Sequence, residues 1–181
     1  MITISLTSKG RILRISVLIV LAFFICLIYV QSVAAEKMVL AESDRQDILD
    51  LISQYGYTYD SKDIDAFASL FTEDGVWTGY LSGGSKLWVK LKGREKLRKF
   101  WKPRVQGYIE KGLTTRHYQT NTIFTKVGDG RVEGTTMHYV TLQKADEKEP
   151  RMVHTGYYKD VFVKTKDGWK FSHRVAYIDH K

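Results

Sequence analysis

Asp60 and His117 are the residue types from which a general base is made, provided that the fold brings them together. An aspartate hydrogen-bonded to one imidazole nitrogen fixes the tautomer and raises the basicity of the other nitrogen. Such a pair removes an acidic proton next to a carbonyl without any cofactor. Tyr55, upstream of Asp60, and Tyr80 can supply hydroxyl donors to the enolate oxygen that develops. Each residue taken singly also has a plain structural role: a carboxylate caps or ends a helix, a histidine pads a strand, and a tyrosine packs a core. Other chemistries lack their residues. There is no phosphate loop, no serine-centred elbow and no His-Glu-x-x-His. The five histidines, at 117, 138, 154, 173 and 180, fall in different segments without ligand spacing, so no metal is expected.

The elements that must position these residues can be read from periodicity. Ser43 with Gln46 forms a capping-box pattern, and Ile48, Leu51, Ile52, Tyr55 and Tyr59 recur at helical spacing. A helix is therefore expected over 43–61, with Asp60 near its end. A short helix over 63–71 follows, capped by Asp63. Strands are expected at 75–81 and 87–91 around the turn Ser82-Gly83-Gly84-Ser85. Gly93 opens a third helix, whose apolar stripe runs through Leu97, Phe100, Trp101, Val105 and Tyr108 and which Pro103 is expected to kink. Arg94, Arg98 and Lys102 form a ridge away from that stripe. Four long β segments end the chain, at 114–127, 131–145, 151–166 and 169–179, broken by Gly128-Asp129-Gly130, a charged stretch, and Asp167-Gly168. Helices followed by a meander make an α+β domain. Gly134 and Gly156 inside long strands point to a curved sheet, whose mouth is a natural ligand pocket.

The composition, 44% apolar and 13% aromatic, is that of one globular domain and argues against disorder. It covers two unlike pieces. Lys9, Arg11 and Arg14 precede an uncharged run from Ile15 to Val30 and then Gln31-Ser32-Val33-Ala34-Ala35. A basic start, an apolar run and small residues describe a signal peptide over 1–35, with the domain over 36–181 and a periplasmic address. The alternative is an uncleaved inner-membrane anchor. The single cysteine, Cys26, lies in this segment, so the domain has neither a disulfide framework nor a cysteine-based zinc site. Between residues 86 and 116 eleven basic residues face two acidic ones. A solvated helix face explains that block better than a polyanion partner, and export removes most nucleic acids; an anionic membrane surface stays open as a third reading.

The stretches Tyr59-Asp60-Ser61-Lys62-Asp63-Ile64-Asp65 and Phe71-Thr72-Glu73-Asp74-Gly75-Val76-Trp77 resemble the opening of the SnoaL-like branch of the nuclear transport factor 2-like superfamily. Arg116-His117-Tyr118-Gln119-Thr120-Asn121 and Asp167-Gly168-Trp169-Lys170-Phe171-Ser172 match the same pattern, which spans 42–178. The resemblance implies a cone-shaped α+β barrel. In it three N-terminal helices pack on a strongly curved mixed, mostly antiparallel sheet, frequently in a trimer, and a homo-oligomer, trimer or dimer, is expected here. Asp60 with His117 is similar to the dyad of scytalone dehydratase, hexachlorocyclohexane dehydrochlorinase and the bile-acid 7α-dehydratases, in which the histidine takes the proton. By the same resemblance Tyr55 and Tyr80 complete the catalytic set, and Arg174, Trp77 and His154 contact substrate. Strict alternation puts Arg174 on the face opposite Trp169, Phe171 and His173, so it needs a bulge to reach the pocket. His154 sits about one position from the second pocket histidine of scytalone dehydratase, so a fungal melanin substrate is not implied.

These readings converge on an exported, cofactor-independent lyase of the dehydratase kind acting on a small hydrophobic or aromatic molecule. The rival is a non-catalytic periplasmic protein that binds such a molecule. No nucleic-acid partner is expected, nor a membrane contact by the domain once the leader is cut. Cleavage after Ala35 would leave Glu36 as the first residue, and cleavage after Ala34 would leave Ala35. Intact-mass measurement of protein released by osmotic shock is expected to give one of these two masses. Full-length chain held in the membrane fraction would instead identify an anchor.

Overall fold

The computed structural model describes residues 40–128 and 130–179. The segment read as a signal peptide, with Cys26, lies outside them, as do Asp129 of the Gly-Asp-Gly turn and His180. The chain runs α1 (Glu42–Asp60), α2 (Ile64–Ser69), β1 (Phe71–Leu81), a short turn of helix, β2 (Lys86–Lys92), α3 (Arg94–Glu110), β3 (Leu113–Gly128), β4 (Arg131–Lys144), β5 (Arg151–Thr165) and β6 (Gly168–Ile178). Six strands form one sheet in the order β2-β1-β6-β5-β4-β3. Only β1 and β6 are parallel; the other neighbours are antiparallel. This is the α+β architecture expected, with its three helices ahead of the meander. None of the described helices is long and apolar enough to cross a membrane.

Local chemistry explains most of these boundaries. Ala41, not Ser43, is the N-cap of α1, without a side-chain bond, and Gln46 bonds Asp50 instead of closing a capping box. Asp63 caps α2 as expected, accepting from the Ala66 amide at 2.9 Å. β1 starts four residues earlier than its sequence pattern shows, because Phe71 pairs with Phe171 of the parallel neighbour. Pro103 lies inside α3, which runs as one element to Glu110.

The sheet curls because its strands are bulged. Register shifts fall once between β1 and β2, with Trp88 of β2 the extra residue, once between β1 and β6, twice between β3 and β4, once between β4 and β5, and once between β5 and β6. Each bulge bends its strand and adds twist. The two edge strands consequently come round far enough for α3 to pack against both β2 and β3. Inside the curl, Phe67, Phe71, Phe162 and Phe171 are fully buried with Ile48 and Leu97, and tilted ring pairs join them.

One bulge resolves the phase of Arg174. Between β5 and β6, Val161 pairs with His173 but Phe162 pairs with Phe171, so Ser172 is the extra residue. Trp169 and Phe171 face inward before it, and Arg174, Ala176 and Ile178 face inward after it. Arg174 does turn in, yet it is not the substrate contact expected. It is fully buried in the floor of the fold, where it donates to both Asp160 carboxylate oxygens at 2.8 Å and to the Gln119 side chain at 3.0 Å. Its guanidinium lies 4.0 to 4.2 Å from the ring centroids of Tyr55, Tyr158 and Phe171. An aromatic cage with a bidentate carboxylate suits the flat, delocalised arginine cation.

Removing one partner of such a pair strands a buried charge. Arg174→Ala or Asp160→Ala is expected to cost about 3–5 kcal/mol in urea unfolding, with Arg174→Met/Asp160→Leu together costing much less. A double variant as unstable as either single one would contradict this account of the floor.

Candidate active site

The approach of α1 to β3 sets the geometry. Gly56 faces β3, and a Cβ placed there would lie 3.2 Å from both the Cβ and the carbonyl oxygen of His117. Without a side chain at this point the helix comes close, and Asp60, one turn further on, reaches the same strand. Its carboxylate accepts three bonds: from the His117 Nδ1 at 2.7 Å, from the His117 amide at 2.7 Å and from the Thr115 hydroxyl at 2.8 Å. Lys62, just past the helix, donates to the Thr115 hydroxyl at 3.0 Å and so completes a chain of polar contacts. Burial pushes the Asp60 carboxyl up, but the hydrogen bonds from the His117 ring and amide and from the Thr115 hydroxyl hold it below its ordinary value. An ionised carboxylate on Nδ1 places the ring proton there and leaves Nε2 with the free lone pair. The dyad read from residue types is thus assembled at hydrogen-bond distance.

The His117 ring lines a cavity of about 300 Å³ inside the curled sheet. Tyr59 meets that ring edge-on at 4.9 Å, and Tyr55 does so at 6.5 Å. Trp77, Trp88 and Trp101 supply further wall, with Leu142 and Ile178 toward the other side. No lysine, arginine or carboxylate lines the cavity among the described residues. The Tyr55 hydroxyl accepts from the Trp77 indole at 2.9 Å, which leaves its own proton free to be donated. Burial raises the Tyr55 phenol above its usual range, so it is a neutral donor. Among the described residues no group of three or more histidine, cysteine or carboxylate side chains could hold a metal.

Of the other expected site residues, Trp77 and His154 line the cavity and Tyr80 does not. A bulge explains His154: Val140 pairs with His154 and Thr141 with Met152, so the extra residue Val153 and its neighbour His154 both border the space. Tyr80 is corrected by alternation. Trp77, Gly79 and Leu81 share the inner face of β1, whereas Thr78 and Tyr80 share the outer one. There Thr78 meets His173 at 3.2 Å, and Tyr80 stacks on Tyr177 with centroids 5.4 Å apart. Arg174 supports the Tyr55 ring from below and does not border the cavity.

The sequence reading missed His138 and Tyr158. His138 stands on the inner face of β4, only 4% exposed, with its ring stacked on Tyr158 at 4.1 Å. Neither ring nitrogen has a partner among the described residues. Burial lowers its pKa to about 3, and the positive charge of the nearby Arg174 adds to the shift. The available signal was parity: Val140 and Leu142 are separated by Thr141 and followed by Gln143, which marks one inward face, and His138 falls on the same phase.

Residues 41–175 match the family model of the SnoaL-like domain. No curated protein matches the chain at a significant level. Solved structures of the same fold include a protein of unknown function from Mycobacterium tuberculosis. It is 25% identical over 74% of this chain and 70% of that one, with a TM-score of 0.61. A nuclear transport factor 2-like protein with a cystatin-like fold from Novosphingobium aromaticivorans is 20% identical over 75% and 82%, with a TM-score of 0.62. A candidate scytalone dehydratase from the same organism is also 20% identical, over 75% and 84%, with a TM-score of 0.59. Likeness at this identity is one of fold, and activity must be argued from the site.

An imidazole kept neutral by its surroundings makes stability depend on pH. An unfolded histidine takes its proton near about 6.5, but folded His138 does so only near 3. Its contribution is therefore lost progressively as pH falls from about 6.5 toward 3, by up to about 1.4 kcal/mol per pH unit. His138→Phe is expected to be at least as stable as the parent at pH ~7 and to gain on it steadily down to pH ~4. Parallel stability curves for the two proteins, from denaturant titrations across this range, would refute the shifted titration.

Proposed function

The chain belongs to the SnoaL-like domain family, and from that premise we propose that it is a cofactor-independent lyase of the dehydratase kind. The observation that carries this reading is the 2.7 Å bond between Asp60 and the His117 Nδ1 on the wall of an uncharged, largely aromatic cavity. A structural histidine would need neither the ionised carboxylate behind it nor a free Nε2 beside a space large enough for a small molecule.

In the proposed reaction the His117 Nε2 takes the proton from the carbon next to a substrate carbonyl. The C–H electrons move into the bond to the carbonyl carbon, and the oxygen becomes an enolate that accepts from the Tyr55 hydroxyl. The enolate electrons then return to form the double bond between the α and β carbons as the C–O bond to the β-hydroxyl breaks. The imidazolium gives its proton to that leaving oxygen, so water departs and His117 is neutral again. One base serving both steps requires the proton and hydroxyl to leave from the same face. Asp60 stabilises the transient imidazolium and keeps the ring from turning.

Export through the N-terminal segment to the periplasm belongs to this proposal, on the charge and apolar pattern of residues 1–35. So does a homo-oligomer, trimer or dimer, for which the exposed Tyr118, Met137 and Met152 offer an apolar patch. The basic ridge of α3 does not support a membrane-binding role. Arg94 pairs with Glu73, and Arg98 and Lys102 both pair with Asp65, at 3.0 and 3.1 Å.

The test uses a panel of aromatic β-hydroxy ketones, with loss of water followed by the absorbance of the conjugated product. The parent protein is expected to dehydrate at least one, and His117→Gln to slow it by about 10²–10⁴-fold with unchanged circular dichroism. Asp60→Asn is expected to slow it as well, chiefly in kcat. Turnover that survives His117→Gln would sink the reading and leave a binding protein.

A further inference from the structure

His138 has no part in the proposed chemistry, yet it is placed as a ligand group. Buried polar nitrogens are nearly always paired, and one that is not needs a reason. Here both nitrogens of one imidazole lack a partner among the described residues, and the ring forms part of the cavity wall. Its position is over-determined. Tyr158 stacks on one face at 4.1 Å with the rings 16° from parallel, and His154 meets it nearly edge-on at 5.5 Å. Across the β4–β5 ladder His138 pairs with Gly156, where a Cβ would come within 3.1 Å of the ring and 1.9 Å of the Tyr177 carbonyl oxygen. A side chain at position 156 would therefore crowd both the Tyr177 backbone and the His138 ring, and Gly156 leaves them room. On the helix side Trp101, 7% exposed, also has an indole N–H without a partner among the described residues and also lines the cavity.

We infer that His138 is the recognition residue of this cavity and that it selects an uncharged substrate carrying a hydroxyl or carbonyl oxygen at the end away from the reacting carbon. The inference rests on the lyase reading for the word substrate, but its geometry stands without it. A neutral imidazole has one donor and one acceptor, which match the one donor and two acceptor pairs of a hydroxyl. The Trp101 N–H can only donate, so it suits a second oxygen, such as a carbonyl. A carboxylate fits poorly. It could accept from one nitrogen only, and no lysine or arginine among the cavity's described lining would balance its charge. The aromatic walls serve the ring system of the substrate, and the two unpartnered groups read its oxygens.

The probes are toluene, p-cresol and p-toluate, which share one ring and differ in the group at one end. Isothermal titration calorimetry of the whole domain at neutral pH is expected to rank p-cresol about 3- to 10-fold tighter than toluene and to show no binding of p-toluate. His138→Phe keeps a flat ring on Tyr158 without its nitrogens and is expected to bring the cresol-to-toluene ratio close to one. His138→Gln, which restores a donor and an acceptor, is expected to keep part of the preference. A merely structural histidine would change both affinities together and leave their ratio alone. A ratio retained in His138→Phe overturns the assignment, as does p-toluate binding tightest or none of the three binding the parent. The two readings fail separately. A His138-dependent preference in a protein without dehydratase turnover removes the lyase alone, whereas turnover with a preference indifferent to His138 removes the recognition role alone.

Discussion

The Asp60 carboxylate holds the molecule together where its helices meet its sheet. It accepts from the ring and amide of one strand residue and from the hydroxyl of Thr115 on the same strand, so α1 ends in three charge-assisted bonds. Two neighbours reinforce the junction. Gly56 removes the side chain that would hold the helix off, and the Gln119 amide donates to the Ile52 carbonyl at 2.7 Å, one turn earlier in α1. The same carboxylate that fastens the helix also fixes the histidine tautomer. Structural and chemical roles cannot be separated here, because both require an ionised Asp60 at this distance.

Beneath the junction the polar groups bond one another, and above it the His138 ring and the Trp101 N–H have no partner among the described residues. Arg174 gives its hydrogens to Asp160 and Gln119 and its flat faces to Tyr55, Tyr158 and Phe171. Gln119 spans the two layers, accepting from Arg174 and donating to α1. A satisfied, rigid floor places Tyr55, Tyr158 and the rings on them with little freedom. The cavity immediately above keeps His138 and the Trp101 N–H unpartnered among the described residues. Stability is highest without such orphans, so their presence next to a well-satisfied network marks where binding has been favoured over stability.

The charge distribution follows the same division. The acidic N-terminal half and the basic α3 segment look like opposed blocks in sequence, but folding lays them side by side. Glu73 and Asp65 neutralise three of the basic side chains of α3, and Asp44 takes Lys164 at 2.6 Å. The charged residues therefore close the outside of the helices over the sheet, and the cavity is left lined by rings and aliphatic groups.

Element types and the residues of the dyad were legible in the chain, since 3.6-residue and two-residue periodicities are local properties. The long strands at 113–128, 131–144, 151–165 and 168–178 follow the pattern of turns and alternation within a residue or two. The carboxylate on one helix end and the histidine on one strand were recognisable by type, and the resemblance to a known pattern joined them. Which side chains face the cavity was decided only in three dimensions. A bulge is one extra residue in one strand, and it reverses the phase of everything after it. That is why Arg174 turns inward to a buried partner and why Val153 and His154 both border the cavity, whereas plain alternation along β1 puts Trp77 inside and Tyr80 outside. The unpartnered state of His138 is a tertiary fact of the same kind. It arises from Tyr158 and Gly156 on another strand, and nothing within a few residues of position 138 encodes it.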